Sequence, residues 1–120
     1  MELHPELVQC AQKEVGPDIE VDGIINMYSL QFICVSERLA AMLGYKHEEL
    51  RDMSVRKILD ISPQMLLEAV TEALGQAKED TQTLIKKDGT KARGSASLRS
   101  FTYDGEPHLA IYNAHFHDVE

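Results

Sequence analysis

The chain has 120 residues, 43% of them hydrophobic, which is enough for one compact soluble domain with its own core. Its formal net charge of −8 argues against nucleic acid as a partner, because such a surface repels phosphates. No apolar run approaches the ~20 residues that a membrane-spanning helix needs, and the acidic N-terminus MELHPELVQC is unlike a signal peptide. Cys10 and Cys34 stand in no metal-ligand or redox spacing, so we expect buried thiols in a reducing, cytoplasmic compartment.

An amphipathic helix is predicted for residues 3–15, because apolar side chains recur there at helical spacing until Gly16-Pro17. The apolar positions are Leu3, Leu7, Val8, Ala11 and Val15. This stripe needs a partner, either the sheet of the same domain or a second copy of the chain.

Short elements are predicted next. GIINMY and QFICV are rich in β-branched and aromatic residues and predict two strands, at about 24–28 and 31–35. Ser36 is expected to cap a short helix that Gly44 ends. HEEL and MSVRKILDI predict two further short helices.

One longer helix is predicted for residues 62–78, because Ser62-Pro63 is a helix start and apolar residues then follow one face. The last third predicts three strands joined at Asp88-Gly89 and Asp104-Gly105, which are hairpin signals. The expected fold class is α+β. It has a five-stranded antiparallel sheet, short helices and one longer helix on one face of that sheet, and an N-terminal amphipathic helix.

Four stretches stand in the order of these predicted elements: FICVSERLAAMLGY, KHEEL followed by MSV, LIKKDGTKARGSASLRSFTYDGEPHLAIYNA, and the terminal HDVE. Together they resemble the PAS domain family of signalling modules, and HDVE is similar to the exit motif of that family. Asp52 stands where the family often has glycine, and Val35-Ser36 replaces a common asparagine. The resemblance divides the chain into an N-terminal helical cap, 1–18, and a PAS-like domain, 19–120.

The resemblance implies a cavity between the helices and the sheet, which either holds a ligand or is filled by side chains. In the last strand, Ala110, Tyr112, Ala114 and Phe116 are expected to point inward, because they are apolar and alternate with a mixed set. The candidate lining residues are Met42, Leu43, Val55, Ile58, Leu66, Val70, Leu74, Ala96, Leu98 and Tyr112.

The identity of a cofactor stays open, but the residues argue against two that the family uses. DMSVRKILDI has no cysteine for a photoactive flavin, and SPQMLLEAVTEALGQAKED has no histidine for haem. His115 and His117 would share one face of a strand, either as half of a zinc site or as polar residues on the outer face of the sheet. No metal site is predicted.

The resemblance implies a non-catalytic sensory module that binds a small ligand or a protein partner and relays the change to an effector. That effector, a histidine kinase of a two-component system or a cyclic-nucleotide enzyme, is expected beyond Glu120. A homodimer through the N-terminal helix and the outer sheet face is also expected. Two alternatives stay open: a dimerisation module with a filled core, and a small α+β enzyme with an acid–base residue in its pocket.

Overall fold

The computed structural model describes residues 5–16, 18–51, 53–73 and 78–119. Four α-helices and one 3-10 turn accompany five strands within these ranges. The helical elements are α1 (Pro5–Val15), α2 (Glu37–Leu43), α3 (His47–Leu50), the 3-10 turn (Val55–Lys57) and α4 (Pro63–Ala73). The strands are β1 (Val21–Asn26), β2 (Phe32–Val35), β3 (Lys78–Ile85), β4 (Lys91–Tyr103) and β5 (Glu106–Asp118). No helix within these ranges is long and apolar enough to cross a membrane.

The strands form one sheet in the order β2-β1-β5-β4-β3, and every neighbouring pair is antiparallel. The predicted α+β class with a five-stranded antiparallel sheet is therefore confirmed. The first strand pairs with the last one, so β5 is the central strand of the sheet and β2 and β3 are its edges. This order brings the inner faces of β1, β4 and β5 together beneath α2, the 3-10 turn and α4.

Local signals set the ends of the short helices as expected. The Ser36 hydroxyl accepts a hydrogen bond from the Leu39 N–H (3.1 Å) at the start of α2. Gly44 ends that helix with φ +81°, a conformation that glycine adopts without steric cost. The Ser62 hydroxyl likewise accepts from the Met65 N–H (3.2 Å) at the start of α4.

Three boundaries differ from the sequence prediction. The first strand covers residues 21–26 rather than 24–28, and MSVRKILDI forms a single 3-10 turn instead of a helix. The long helix does not reach residue 78, because Lys78 already belongs to β3 and pairs with Leu98. Continuous pairing of β3 with β4 prevails there over the helical preference of the charged sequence KED.

Both faces of the sheet are covered by apolar packing. The inner cluster joins Ile25, Phe32 and Leu109 of the sheet to residues of α2, the 3-10 turn and α4. The outer cluster joins Ile24 and Ala110 to Ala11 of α1, so α1 covers the sheet of its own domain. The apolar stripe of α1 was expected to pack either on the sheet of its own domain or on a second copy, and in the structure α1 packs on its own sheet. Leu3, the first residue of the predicted stripe, lies outside the described residues.

The strand β5 contains a β-bulge that reverses its side-chain alternation. Tyr112 pairs with Ser97 and His115 with Ser95, so β5 has one extra residue, and Asn113 has φ +51° there. A second irregularity lies opposite, around Asp22 of β1. The buried Asp22 carboxylate accepts hydrogen bonds from the Ala114 N–H (3.1 Å) and the Arg38 guanidinium (2.7 Å), which fixes both irregularities against α2.

Candidate ligand-binding cavity

A cavity of about 100 Å³ lies between the inner face of the sheet and the helical layer. The sheet contributes Ile25, Leu98 and Leu109, while the helical layer contributes Leu43 from α2 and Leu66 from α4. Leu43 belongs to the buried face of α2, with Leu39 and Ala40, and this helix begins after the Ser36 cap and ends at Gly44. The cavity is thus a product of the short helices folding back over the sheet.

Six of the ten predicted lining residues border this cavity: Leu43, Val55, Ile58, Leu66, Ala96 and Leu98. Met42 instead packs against the inner cluster without lining the cavity. The side chain of Val70 and the whole of Leu74 lie outside the described residues.

Tyr112 requires a correction, because its side chain lies on the outer face of the sheet. It pairs with Val21, which packs in the outer cluster, and it does not line the cavity. Of the four β5 residues that were expected inside, Ala114 and Phe116 line the cavity, whereas Ala110 belongs to the outer cluster. The bulge at Asn113 causes the difference, since an extra residue shifts a period-two alternation by one.

Sequence reasoning missed several lining residues on the strands. Ile25 and Met27 have the i, i+2 spacing of one strand face, which could have identified them. Leu109 and Ile111 also line the cavity, and they could not be recognised because the bulge places them on the face opposite to the expected one.

The cavity wall is apolar except at one position. Among the described residues, Gln82 is the only polar side chain in the wall, and no charged side chain lines it. Dry apolar cavities of about 150 Å³ bind molecules such as benzene, whereas pockets for drug-sized ligands span roughly 300–1,000 Å³. The space therefore suits a small apolar molecule.

The residues present do not fit the two family cofactors considered above. The described lining contains no histidine to coordinate haem iron and no cysteine to react with a flavin. Cys34 lies on the opposite face, in the outer cluster, where burial raises the pKa of its thiol to about 11.

His115 and His117 are both exposed on β5, on the same side of the strand. Their neighbours across the pair with β4 are Ser95 and Arg93. In the part of the chain that the structure describes, no group of three or more histidine, cysteine or acidic side chains could hold a metal ion.

No protein-family model matches the sequence, and no curated protein matches it. Solved structures do match. The PAS domain of an HTR-like protein from Haloarcula marismortui is 17% identical, with 96% of this chain and 92% of that chain covered and a TM-score of 0.68. A PAS domain from Desulfitobacterium hafniense is 24% identical (83% and 92% covered, TM-score 0.69). A PAS domain from a two-component sensor histidine kinase is 13% identical (97% and 100% covered, TM-score 0.64).

These matches cover 83–97% of this chain and 92–100% of the matching chains, with TM-scores of 0.64–0.69. The resemblance inferred from the sequence is therefore confirmed for the fold: the chain has the fold of PAS domains.

Proposed function

We propose that the chain is a non-catalytic sensory domain, in which a small apolar ligand occupies the cavity and the sheet relays its presence to α1. The fold supports this proposal, since one matching structure is a PAS domain from a two-component sensor histidine kinase. The apolar wall supports a binding role over an enzymatic one, because no charged group among the described residues lines the cavity to act as acid or base.

The observation that carries the proposal is that the same strands face both the cavity and α1. Ile25 of β1 lines the cavity, and its neighbour Ile24 packs in the outer cluster beneath α1. Leu109 and Ala110 of β5 are arranged in the same way. A ligand that shifts these strands changes the surface on which α1 rests, and α1 is the two-state element that such a relay needs.

A second candidate function is an interaction module whose core needs no ligand. The cavity volume favours it, because about 100 Å³ is below the range of most ligand pockets.

For either function we propose a cytoplasmic homodimer that contacts its second copy through α1 and the outer sheet face. For the sensory function we also propose an effector of the histidine kinase or cyclic-nucleotide class.

Benzene distinguishes the two candidates, because it is a small molecule that is as apolar as the cavity wall. The sensory proposal predicts that benzene binds in ligand-observed NMR and that hydrogen exchange of the α1 amides changes when it binds. Absence of binding would favour the interaction module. Binding that leaves α1 exchange unchanged would contradict the relay.

Ala96→Leu tests whether benzene occupies this cavity. The substitution adds three carbons at a buried lining position, and we expect it to abolish benzene binding because protein interiors have little free volume. Ala41→Leu makes the same change at an exposed position of α2 and should leave binding intact. If Ala96→Leu binds benzene as the wild type does, the ligand site lies elsewhere.

A further inference from the structure

A surface cleft of about 550 Å³ lies beside the cavity, at the outer edge of β3. It is lined by Asp60, Ile61, Ser62, Met65, Thr81, Gln82, Thr83 and Arg93. Two of these residues, Ile61 and Gln82, also line the apolar cavity. The cleft and the cavity therefore meet at one wall, and that wall contains the single polar side chain found among the described cavity residues.

The course of the main chain brings the two spaces together at this wall. The segment before α4 pairs with the edge of β3 through two hydrogen bonds, from the Ile85 N–H to the Ile58 carbonyl (2.6 Å) and from the Asp60 N–H to the Thr83 carbonyl (3.0 Å). At Ser62 the chain turns into α4 and leaves the strand. The cleft and the cavity adjoin between this turn and β3, where Ile61 and Gln82 border both spaces.

The cleft contains hydrogen-bond donors of the kind that bind an anion, beside the Asp60 carboxylate. The Arg93 guanidinium donates a hydrogen bond to the Thr83 hydroxyl (2.9 Å), a neutral partner. No described carboxylate forms an ion pair with Arg93; the Asp60 carboxylate is paired with the Lys91 ammonium (2.8 Å). Since main-chain groups of alternate residues face the same edge, the pairing at Thr83 and Ile85 directs the Thr81 N–H toward the cleft as well.

We propose that the ligand is a small amphiphile with a carboxylate head, whose apolar chain occupies the cavity and whose head lies in the cleft against Arg93 and the Thr81 N–H. This inference rests on the proposed sensory function, which requires only that an apolar molecule enters the cavity. Gln82, at the wall that both spaces share, lies where the chain joins the head. An arginine fork matches the geometry of a carboxylate and binds it with charge-assisted hydrogen bonds.

Hexanoate and 1-hexanol test the proposal, because they share a chain length and differ in the charge of the head. Isothermal titration calorimetry of the full chain should show hexanoate binding about tenfold or more tightly than 1-hexanol. In Arg93→Gln this preference should disappear while 1-hexanol binds as before. Arg56→Gln removes an exposed arginine that lies outside both spaces and should keep the preference.

The salt dependence of the wild type gives a test that needs no variant. Raising ionic strength should weaken hexanoate relative to 1-hexanol, because the interaction with Arg93 lies at the surface and is screened. If 1-hexanol binds but hexanoate binds no better, or if Arg93→Gln keeps the preference, the carboxylate head is wrong and the apolar site stands. If neither compound binds, both this inference and the ligand-binding function fail.

Discussion

Cys34 shows how burial alone changes the chemistry of a side chain. It lies on β2 beneath α1 and is 5% exposed. Burial raises the pKa of its thiol from 9.0 to about 11, and a hydrogen bond to the Ile24 backbone opposes this only in part. A thiol with so high a pKa is a poor nucleophile, so its position fits packing rather than catalysis.

The raised pKa makes a prediction about stability in alkali. Well below pH 9 the thiol is neutral in both folded and unfolded chains, and its full contribution to stability is present. As pH rises from 9 toward 11 the unfolded chain loses this proton first, so the free energy of unfolding should fall. Urea denaturation at pH 8 and pH 10.5 should show a loss of about 2 kcal/mol from this group.

Two variants isolate the contribution of Cys34 from that of other groups that titrate in alkali. Cys34→Ala should show a smaller decline over the same pH range, because the buried thiol is gone. Cys10→Ala removes the other cysteine, which is half-buried on α1, and should keep the decline of the wild type. Equal declines in all three proteins would contradict the assignment.

The pairing of β4 with β5 depends on Gly94, which faces the strand just beyond the bulge. A Cβ at this position would lie 1.9 Å from the His115 carbonyl oxygen and 2.7 Å from the Phe116 Cα. Both are backbone atoms, so neither can move without shifting the strand. Glycine is required here by a close approach of two chains and not by its φ angle.

Gly94→Ala should therefore destabilise the domain by about 2–4 kcal/mol, because β4 and β5 must separate locally. Gly23→Ala is the matched control in β1. A Cβ there would meet its nearest atom, the Cys34 carbonyl oxygen, at 3.5 Å, an ordinary contact. Thermal unfolding should show a large fall in Tm for the first variant and a small change for the second. Similar Tm values for the two would refute the close approach.

Elements with local signals could be predicted from the sequence. The Ser36 cap and Gly44 end of α2 depend on contacts within a few residues, and so does the two-residue turn at Asp104-Gly105, where both residues have positive φ. Six lining residues of the cavity followed from such elements and from the family pattern. Their grouping could be predicted because every second residue of a strand, and every third or fourth residue of a helix, points to the same face.

The rest of the cavity depends on pairing between distant strands. The bulge at Asn113 arises because β5 has one residue more than β4 between two paired positions, and no motif in HLAIYNAHF marks it. The Asp22 carboxylate bonds to the Ala114 N–H, 92 residues away, and this contact was not anticipated. Leu109 and Ile111 line the cavity as a consequence, so the inner face of β5 could be determined only from the structure.

The molecule as a whole consists of a sheet covered on both faces, with the cavity on one side and α1 on the other. The two faces differ in what covers them. The helical layer over the cavity is linked to the strands by main-chain hydrogen bonds, such as that from the Ile85 N–H of β3 to the Ile58 carbonyl at the end of the 3-10 turn (2.6 Å). The described part of α1 meets the sheet through the outer cluster, and we propose that residues 1–18 act as a cap that can separate from the domain.

Ala11 is the residue with which to test this separation, because it is fully buried at the centre of the outer cluster. In Ala11→Asp, docking of α1 on the sheet would bury an unpaired carboxylate, which is strongly unfavourable. A helix of this length is only marginally stable without contacts to the rest of the domain. We expect α1 to leave the sheet while the domain stays folded. Hydrogen exchange should then show α1 amides unprotected and β4 amides still protected.

Gln9→Asp makes a similar change at an exposed position of the same helix and should leave α1 protected. Loss of protection throughout the domain in Ala11→Asp would show instead that α1 is part of one cooperative unit and cannot serve as the relay.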